Sequence, residues 1–177
     1  MYDHLLKLIG NFPSRTPLDT TIISSEDCGT YMRNKIEYSV EPTERVRAYF
    51  LIPKDIEGPT PAIFCHHQNN DYGIIGKSET VGLIGDPNMA YAKELAERGY
   101  VTIAPDAINY EERNRNRSEN SEEFTKQLVL GQTLFSKTLH DIMIAIDYLQ
   151  SHRAVDRERI GYRTRLWRHH GIDGSYI

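Results

Sequence analysis

Hydrophobic and polar side chains alternate along two neighbouring segments in the first third of the chain. The alternation covers most of Tyr31–Val40 and recurs in Val46–Ile52. A period of two residues is typical of a strand whose two faces meet different surroundings. Because the intervening Glu41-Pro42-Thr43-Glu44 has the composition of a turn, the pattern predicts an antiparallel pair of strands.

Short continuous apolar runs replace the alternation after Pro53. Ala62–Cys65 and Tyr100–Ala104 are runs of this kind, which are typical of strands in a sheet that helices cover on both faces. Between them, Asp86-Pro87 predicts the start of a helix and Gly99 predicts its end. Aspartate caps helix N-termini, proline suits the first helical position, and glycine favours the C-terminal cap.

Two further segments have apolar residues at helical spacing. Tyr2–Phe12 predicts a short helix that ends before Pro13, and Phe135–Ser151 predicts a longer amphipathic helix. Val155–Gly161 then has the pattern of a turn that leads into another strand.

The segment Asn109–Asn120 is charged and polar, with Arg113, Arg115 and Arg117 separated by asparagines. We expect it to be a solvated loop. A clamp for a substrate phosphate is the alternative interpretation of the three arginines.

The order of these elements predicts a mostly parallel sheet with helices on both faces and an antiparallel pair at its N-terminal side. The reason is that crossovers between parallel strands are right-handed and carry helices onto the sheet. In such sheets ligands bind beyond the carboxyl ends of the strands. The polar residues that follow the two buried strands, His66–Asn70 and Asp106–Glu112, are therefore expected to form the walls of a site.

Composition narrows the class of protein. The chain has 177 residues, 39% of them apolar, which suits one core and one domain. Its net charge of −4, with both signs mixed, provides no basic field for phosphate backbones, so we expect no nucleic-acid partner. There is no bilayer-length apolar run and Met1–Lys7 lacks the pattern of a signal peptide, so we expect no membrane association and a cytoplasmic location. Cys28 and Cys65 have no disulfide-framework spacing and are expected to stay reduced.

The order and spacing of several motifs resemble the α/β-hydrolase fold, and within it the dienelactone hydrolase-like and acetyl-xylan-esterase-like branch. The motifs are Pro61–Gln68, Gly76–Glu79, Ala90–Val101, Ala104–Ala107 with Glu111–Arg113, Ala145–Leu149 and Val155–Gly161. The resemblance implies that residues 1–162 are the N-terminal part of such a domain. It also implies hydrolysis of a small-molecule ester through an acyl-enzyme, without a cofactor.

The resemblance implies part of an active site. In this family the loop after the third strand usually gives one main-chain N–H of the oxyanion hole, and Gln68 and Asn69 occupy the matching positions. His67, Asp106 and Glu111 are candidates for the pocket wall. For the two acidic residues, a structural hydrogen-bonding role is the alternative to substrate contact.

The catalytic triad has no match in this sequence. In the family, the strand that begins Arg159-Ile160-Gly161 leads into a Gly-x-Ser-x-Gly nucleophile elbow, and the acid and the histidine come later. After Tyr162 the sequence has neither this motif nor its cysteine version. We therefore expect no catalytic residue in this chain, an atypical tail over residues 163–177 outside the native fold, and no activity of the chain alone.

A lost reading frame is one hypothesis for the tail, and a natural terminus is the other. Read from the second base of the Arg163 codon, the codons are compatible with Gly-His-x-x-Gly-Gly, the outline of an elbow. Only the glycine that straddles Trp167 and Arg168 is forced, and the position after the histidine can be neither serine nor cysteine. The DNA tests this, because the other frame after the Tyr162 codon must continue into a long hydrolase sequence.

Two alternative interpretations of the sequence are a metal site and an interaction module. The pairs His66-His67 and His169-His170 each offer one ligand to a shared ion, since adjacent strand residues point to opposite faces, so we expect no metal. We expect His140 to be structural. In the competing module, a partner or a second copy completes the sheet, because loss of the elbow strand leaves Ala62–Cys65 with an exposed apolar edge that favours self-association.

Overall fold

The computed structural model describes residues 8–69, 73–115 and 117–164. The strands are β1 (Thr21–Asp27), β2 (Tyr31–Glu41), β3 (Glu44–Pro53), β4 (Thr60–His66), β5 (Val101–Pro105) and β6 (Val155–Thr164). The helices are α1 (Lys77–Thr80), α2 (Tyr91–Glu97), α3 (Arg117–Val129) and α4 (Leu134–Ser151), with 3-10 turns at Pro87–Met89 and Glu111–Arg113.

The six strands form one sheet in the order β1-β2-β3-β5-β4-β6. Strand β2 is antiparallel to both β1 and β3, β3 is antiparallel to β5, and β5, β4 and β6 are parallel. Helix α4 covers one face, over a core that includes Tyr38, Phe50 and Phe64. Helix α2 covers the other, over Leu51 and Cys65. The predicted α/β class, with antiparallel N-terminal strands and helices on both faces, is confirmed.

The predicted antiparallel pair is β2 and β3, joined by a turn at Pro42-Thr43. Strand β1 was not predicted. All seven of its residues are exposed, and a bulge between Ile22 and Ser24 interrupts its register with β2. A strand with no buried face and an irregular register does not show the alternation of hydrophobic and polar residues from which strands are predicted.

The prediction that Ala62–Cys65 has an open edge is wrong, because β6 pairs with this strand. Pairs from Ala62↔Ile160 to His66↔Thr164 join the two strands, so β4 is enclosed between β5 and β6. Among the described strands, the unpaired edge on this side of the sheet belongs to β6. The strand passes Tyr162 and continues to Thr164, and residues 165–177 lie outside the described part of the chain.

The predicted helices are present, but they begin at other residues than the sequence predicts. Asp86 caps the 3-10 turn at Pro87–Met89, α2 begins at Tyr91, and Gly99 ends the segment in a left-handed conformation with φ of 91°. Helix α4 begins after Thr133, whose side chain accepts a hydrogen bond from the main-chain N–H of Ser136. Of the predicted N-terminal helix, Leu8 and Ile9 are helical and residues 2–7 lie outside the described residues. No helix in the described ranges is both long and apolar enough to cross a membrane.

Candidate functional site

The carboxyl ends of the three parallel strands lie side by side. Phe64 of β4 is in register with Ile103 of β5 and with Tyr162 of β6, so the strands end together at His66, Pro105 and Thr164. The loop that begins at His67 therefore lies between the loop that begins at Asp106 and the point where the chain leaves β6.

His67 links the loops after β4 and β5. Its side chain is buried, Nδ1 donates to the Gln68 carbonyl oxygen at 2.9 Å, and Nε2 accepts from the Ala107 main-chain N–H at 3.0 Å. These partners fix a neutral tautomer, because Nε2 can accept only when it carries no proton. Burial lowers the pKa of His67 to about 4, which keeps the ring neutral at physiological pH.

The two oxyanion-hole candidates lie at the rim of this edge. Gln68 is half-buried, and its side-chain Nε2 donates to Glu79 Oε2 at 3.0 Å. Glu79 in turn accepts from the Asp86 main-chain N–H at 3.1 Å, so one carboxylate holds two loops. Asn69 is exposed, and its side chain accepts from the Tyr110 hydroxyl at 3.2 Å. Within the described residues, the main-chain N–H of Gln68 donates to no hydrogen-bond acceptor.

A buried lysine surrounded by three carboxylates lies behind these loops, and we refer to Lys77, Asp106, Glu111 and Glu112 as the Lys77 cluster. The Lys77 side chain is fully buried, with Nζ 2.6 Å from Asp106 Oδ2, 2.8 Å from Glu111 Oε1 and 2.5 Å from Glu112 Oε2. Sequence reasoning gave Lys77 no role, since lysine is a surface residue unless it is paired.

The same carboxylates also bind the main chain of the loop that carries α1. Asp106 Oδ1 accepts from the Lys77 N–H at 2.9 Å, and Glu111 Oε2 accepts from the N–H groups of Gly76 and Ser78 at 3.1 and 2.9 Å. A Cβ atom on Gly76 would lie 2.5 Å from Asp106 Oδ1, so the close approach requires glycine. Asp106 and Glu111, predicted as pocket walls, thus have the structural contacts of the alternative interpretation.

The pKa values of the groups in the Lys77 cluster are shifted in different directions. Burial raises the pKa of Asp106 to about 6, and Glu111 adds to this effect while Lys77 opposes it. Burial also acts against the charged forms of Lys77 and Glu112. Even so, the carboxylates raise the pKa of Lys77, and hydrogen bonds from Lys77, Lys35 and Arg47 lower the pKa of Glu112 to about 2.

Three carboxylates this close could hold a metal ion. Ligand oxygens of Asp106, Glu111 and Glu112 all lie within 4.8 Å of one another. The ammonium of Lys77 is within hydrogen-bond distance of all three residues and already supplies a cation there. A metal ion at this position would have to displace it.

The expected solvated loop at Asn109–Asn120 is correct for exposed residues such as Arg115 but wrong for Arg113. Glu111–Arg113 is a 3-10 turn, α3 begins at Arg117, and the guanidinium of Arg113 is buried. Arg113 Nη2 lies 2.5 Å from Glu44 Oε1, and Nη1 lies 2.8 Å from Asp141 Oδ2. The arginine pairs with carboxylates at the start of β3 and on α4, so its partners are internal and not a substrate phosphate.

This second network, with Lys137, is called the Arg113 cluster. Lys137 Nζ lies 2.6 Å from Glu44 Oε2 and also contacts Glu41. Although Asp141 is at ion-pair distance from Arg113, neither of its carboxylate oxygens accepts a well-aligned hydrogen bond within the described residues, and Arg113 Nε donates none.

Three other polar residues have structural contacts. His140 is buried with Nε2 2.8 Å from the Val40 carbonyl oxygen, which confirms its structural role. His66 Nδ1 lies 2.8 Å from the His67 carbonyl oxygen. Ser136 completes the capping box of α4. His169 and His170 lie outside the described residues.

Comparison with known proteins gives a family and a fold. The family model described as the dienelactone hydrolase family matches residues 59–163. YtaP of Bacillus subtilis (strain 168), which is named as a hydrolase, is 30% identical over 158 residues, or 89% of this chain and 52% of YtaP. The chain therefore spans about half the length of this relative.

Two solved structures described as acetyl xylan esterases have a similar fold. The protein from Bacteroides fragilis NCTC 9343 has a TM-score of 0.75 and 21% identity, covering 91% of this chain and 44% of that chain. The protein from Paenibacillus sp. R4 has a TM-score of 0.61 and 16% identity, covering 84% and 46%. At such low identity the likeness shows the fold alone.

Proposed function

Because this chain belongs to the dienelactone hydrolase family, we propose that it forms the oxyanion-hole side of a carboxylic ester hydrolase. The main-chain N–H of Gln68 or Asn69 is the proposed donor to the carbonyl oxygen as negative charge develops on it. The observation that carries the proposal is the common edge of β4, β5 and β6, where these residues and the end of β6 come together.

The proposed reaction is acyl transfer in two steps. A nucleophile attacks the ester carbonyl, the alcohol leaves with a proton, and water then releases the acid from the acyl-enzyme. In the family the nucleophile follows the strand that corresponds to β6. A main-chain donor at Gln68 would then face the same carbonyl from the adjacent strand end.

Several contacts support a rigid oxyanion loop. Gln68 is held through its side chain by Glu79 and through its carbonyl oxygen by His67. Preorganised donors need no rearrangement when charge develops, which is the main source of their effect on rate. The Lys77 cluster holds the neighbouring loop in place through three main-chain N–H groups.

The 177-residue polypeptide alone is proposed to have negligible esterase activity. No serine or cysteine after Tyr162 has the flanking glycines of an elbow. Without a nucleophile, the oxyanion donors have no tetrahedral intermediate to stabilise.

The test compares two polypeptides on p-nitrophenyl acetate. One is this chain, and the other is a chimera in which residues 1–162 are joined to the part of YtaP that follows its match to this chain. We expect turnover only by the chimera, and its loss after treatment with a serine or cysteine acylating agent. A chimera with a cooperative thermal transition but no turnover would contradict the proposal, as would inhibitor-sensitive turnover by the chain alone.

A further inference from the structure

Tyr110, in the loop after β5, contacts residues on both sides of Gln68. Its ring lies against the ring of His67, with centroids 4.7 Å apart and an angle of 54° between the planes. Its hydroxyl donates to Asn69 Oδ1 at 3.2 Å. One side chain therefore connects the two ends of the segment His67–Asn69, which carries the proposed oxyanion donors and which we call the oxyanion segment.

The main chain around Tyr110 is fixed by two turns. Its N–H donates to the Ala107 carbonyl oxygen at 3.2 Å, and its own carbonyl oxygen accepts from the Arg113 N–H at 2.8 Å. The residues before and after it, Asn109 and Glu111, have φ of 67° and 44°, a left-handed conformation that residues with a side chain rarely adopt. Such conformations persist only where surrounding contacts hold them, and they are concentrated at functional sites.

The Lys77 cluster supplies the contacts that hold Glu111. The Glu111 carboxylate lies 2.8 Å from Lys77 Nζ, and it accepts from the main-chain N–H of Ser78 at 2.9 Å and from the Ser78 hydroxyl at 2.5 Å. These bonds fix the residue that follows Tyr110, so they also limit movement of the tyrosine ring.

The ring and the hydroxyl of Tyr110 act on opposite ends of the oxyanion segment. His67 is buried and bonded to the Gln68 carbonyl oxygen, so the ring contact reinforces an end that is already fixed. Asn69 is exposed, and the hydroxyl of the half-buried Tyr110 bonds to its side chain. Because peptide groups are planar, holding both ends limits the rotation of the two peptide planes that carry the N–H groups of Gln68 and Asn69.

We propose that Tyr110 is a positioning residue of the ester hydrolase, which keeps the main-chain N–H groups of the oxyanion segment directed at the ester carbonyl oxygen. The proposal rests on the proposed function and adds to it a residue from the loop after β5. Tyr110 acts through His67 and Asn69 and does not touch the substrate. Its loss should lower kcat and leave KM nearly unchanged, because the oxyanion donors stabilise charge that develops only in the transition state.

Kinetics on p-nitrophenyl acetate use the chimera of residues 1–162 with YtaP. Tyr110→Phe removes only the hydroxyl and should lower kcat by about 2- to 10-fold, the factor for one neutral hydrogen bond. Tyr110→Leu also removes the ring contact and should lower kcat by about 100-fold, as expected for misplaced catalytic groups. KM should stay within about twofold of the wild-type value in both variants.

Tyr100 provides matched controls. It directly precedes β5, at the opposite end of the strand from the oxyanion segment, and is 37% exposed. Tyr100→Phe and Tyr100→Leu should leave kcat unchanged. Thermal midpoints of all four variants separate positioning from stability, since a merely structural tyrosine would lower the midpoint without lowering the kcat of the folded protein.

Asn69→Ala tests whether the hydroxyl acts through the Asn69 side chain. The substitution keeps the Asn69 main-chain N–H and removes the acceptor Oδ1. Tyr110→Phe should then cause no further loss of kcat in the Asn69→Ala chimera, because both substitutions remove the same bond. Additive losses would contradict the connection between Tyr110 and Asn69.

A second measurement does not depend on ester hydrolysis. In the 177-residue chain, 15N relaxation should give order parameters near 0.85 for the amides of Gln68 and Asn69, and values below about 0.6 in Tyr110→Leu. The amide of Ile103, buried in β5, is the internal control and should not change.

Two results would overturn the proposal. One is wild-type kcat in folded Tyr110 variants, and the other is a lower kcat with unchanged order parameters, which would mean that Tyr110 acts on the substrate directly. An inactive wild-type chimera would contradict the proposed function instead. The order parameters then decide separately whether Tyr110 holds the oxyanion segment.

Discussion

The Lys77 cluster and the Arg113 cluster are two buried charge networks that both include residues of the loop after β5. They differ in how completely hydrogen bonds satisfy their charged groups. Lys77 contacts three carboxylates, and two of these also accept main-chain N–H groups. In the Arg113 cluster, Asp141 accepts no aligned hydrogen bond from a described residue and Arg113 Nε donates none. A buried charge is tolerated when hydrogen bonds replace its hydration, so the first network should fix the loop and the second should be more permissive.

The largest expected effect comes from removing the central cation. Lys77→Met leaves three carboxylates around an apolar side chain, and breaking a buried ion pair in this way lowers the free energy of unfolding by about 3–5 kcal/mol. Urea denaturation at pH 7 measures it. The control is Lys93→Met, since Lys93 is exposed and lies 3.9 Å from Glu97, and its loss should change stability by less than about 0.5 kcal/mol. A similar small effect for both variants would contradict the role of the Lys77 cluster.

His67 is a buried polar residue that connects two loops without carrying a charge. Its pKa is about 4 in the folded protein, below the ordinary value of 6.5, so the unfolded chain binds a proton that the folded ring does not. Stability should therefore fall as the pH drops from about 6.5 to 4, by at most about 3 kcal/mol.

His67→Asn lacks a titrating ring, so the stability difference between wild type and variant should shrink over this pH range. Taking the difference separates His67 from carboxylates such as Asp106 that titrate nearby. Thermal midpoints at five or six pH values measure it. A difference that stays constant would mean that the folded ring titrates normally.

A smaller contrast separates the two buried aspartates. Asp106 accepts from both the main-chain N–H and the ammonium of Lys77, so Asp106→Asn should lower stability by about 2 kcal/mol at pH 7. Asp141 Oδ2 lies 2.8 Å from Arg113 Nη1 but accepts no aligned hydrogen bond from a described residue, so Asp141→Asn should lower stability by about 1 kcal/mol less than Asp106→Asn does. Equal losses of stability in the two variants would mean that the alignment of hydrogen bonds does not distinguish the two clusters.

The elements that local pattern specifies could be predicted from the sequence. The alternation in β2 and β3, the apolar runs of β4 and β5 and the helical spacing of α4 each depend on nearby residues. These elements in turn brought Gln68 and Asp106 to one edge of the sheet, because parallel strands have a common carboxyl edge.

The burial of Lys77 and Arg113 could not be predicted, because their partners are distant in the chain. Asp106 lies 29 residues from Lys77, and Glu44 lies 69 residues from Arg113. A lysine or arginine within a polar segment gives no local sign that carboxylates will enclose it. The motif Gly76–Glu79 resembles the family, but the sequence alone does not show that Lys77 and Glu79 hold loops together.

The main-chain role of Gln68 is tested most directly by a pair of substitutions in the chimera with YtaP. Gln68→Ala and Gln68→Pro both remove the side-chain hydrogen bond to Glu79, but only proline removes the main-chain N–H. If this N–H is the oxyanion donor, kcat on p-nitrophenyl acetate falls by about 10²–10³-fold in Gln68→Pro relative to Gln68→Ala, with similar thermal midpoints. Equal kcat values in two folded variants would contradict the assignment of Gln68 and transfer the test to the same pair of substitutions at Asn69.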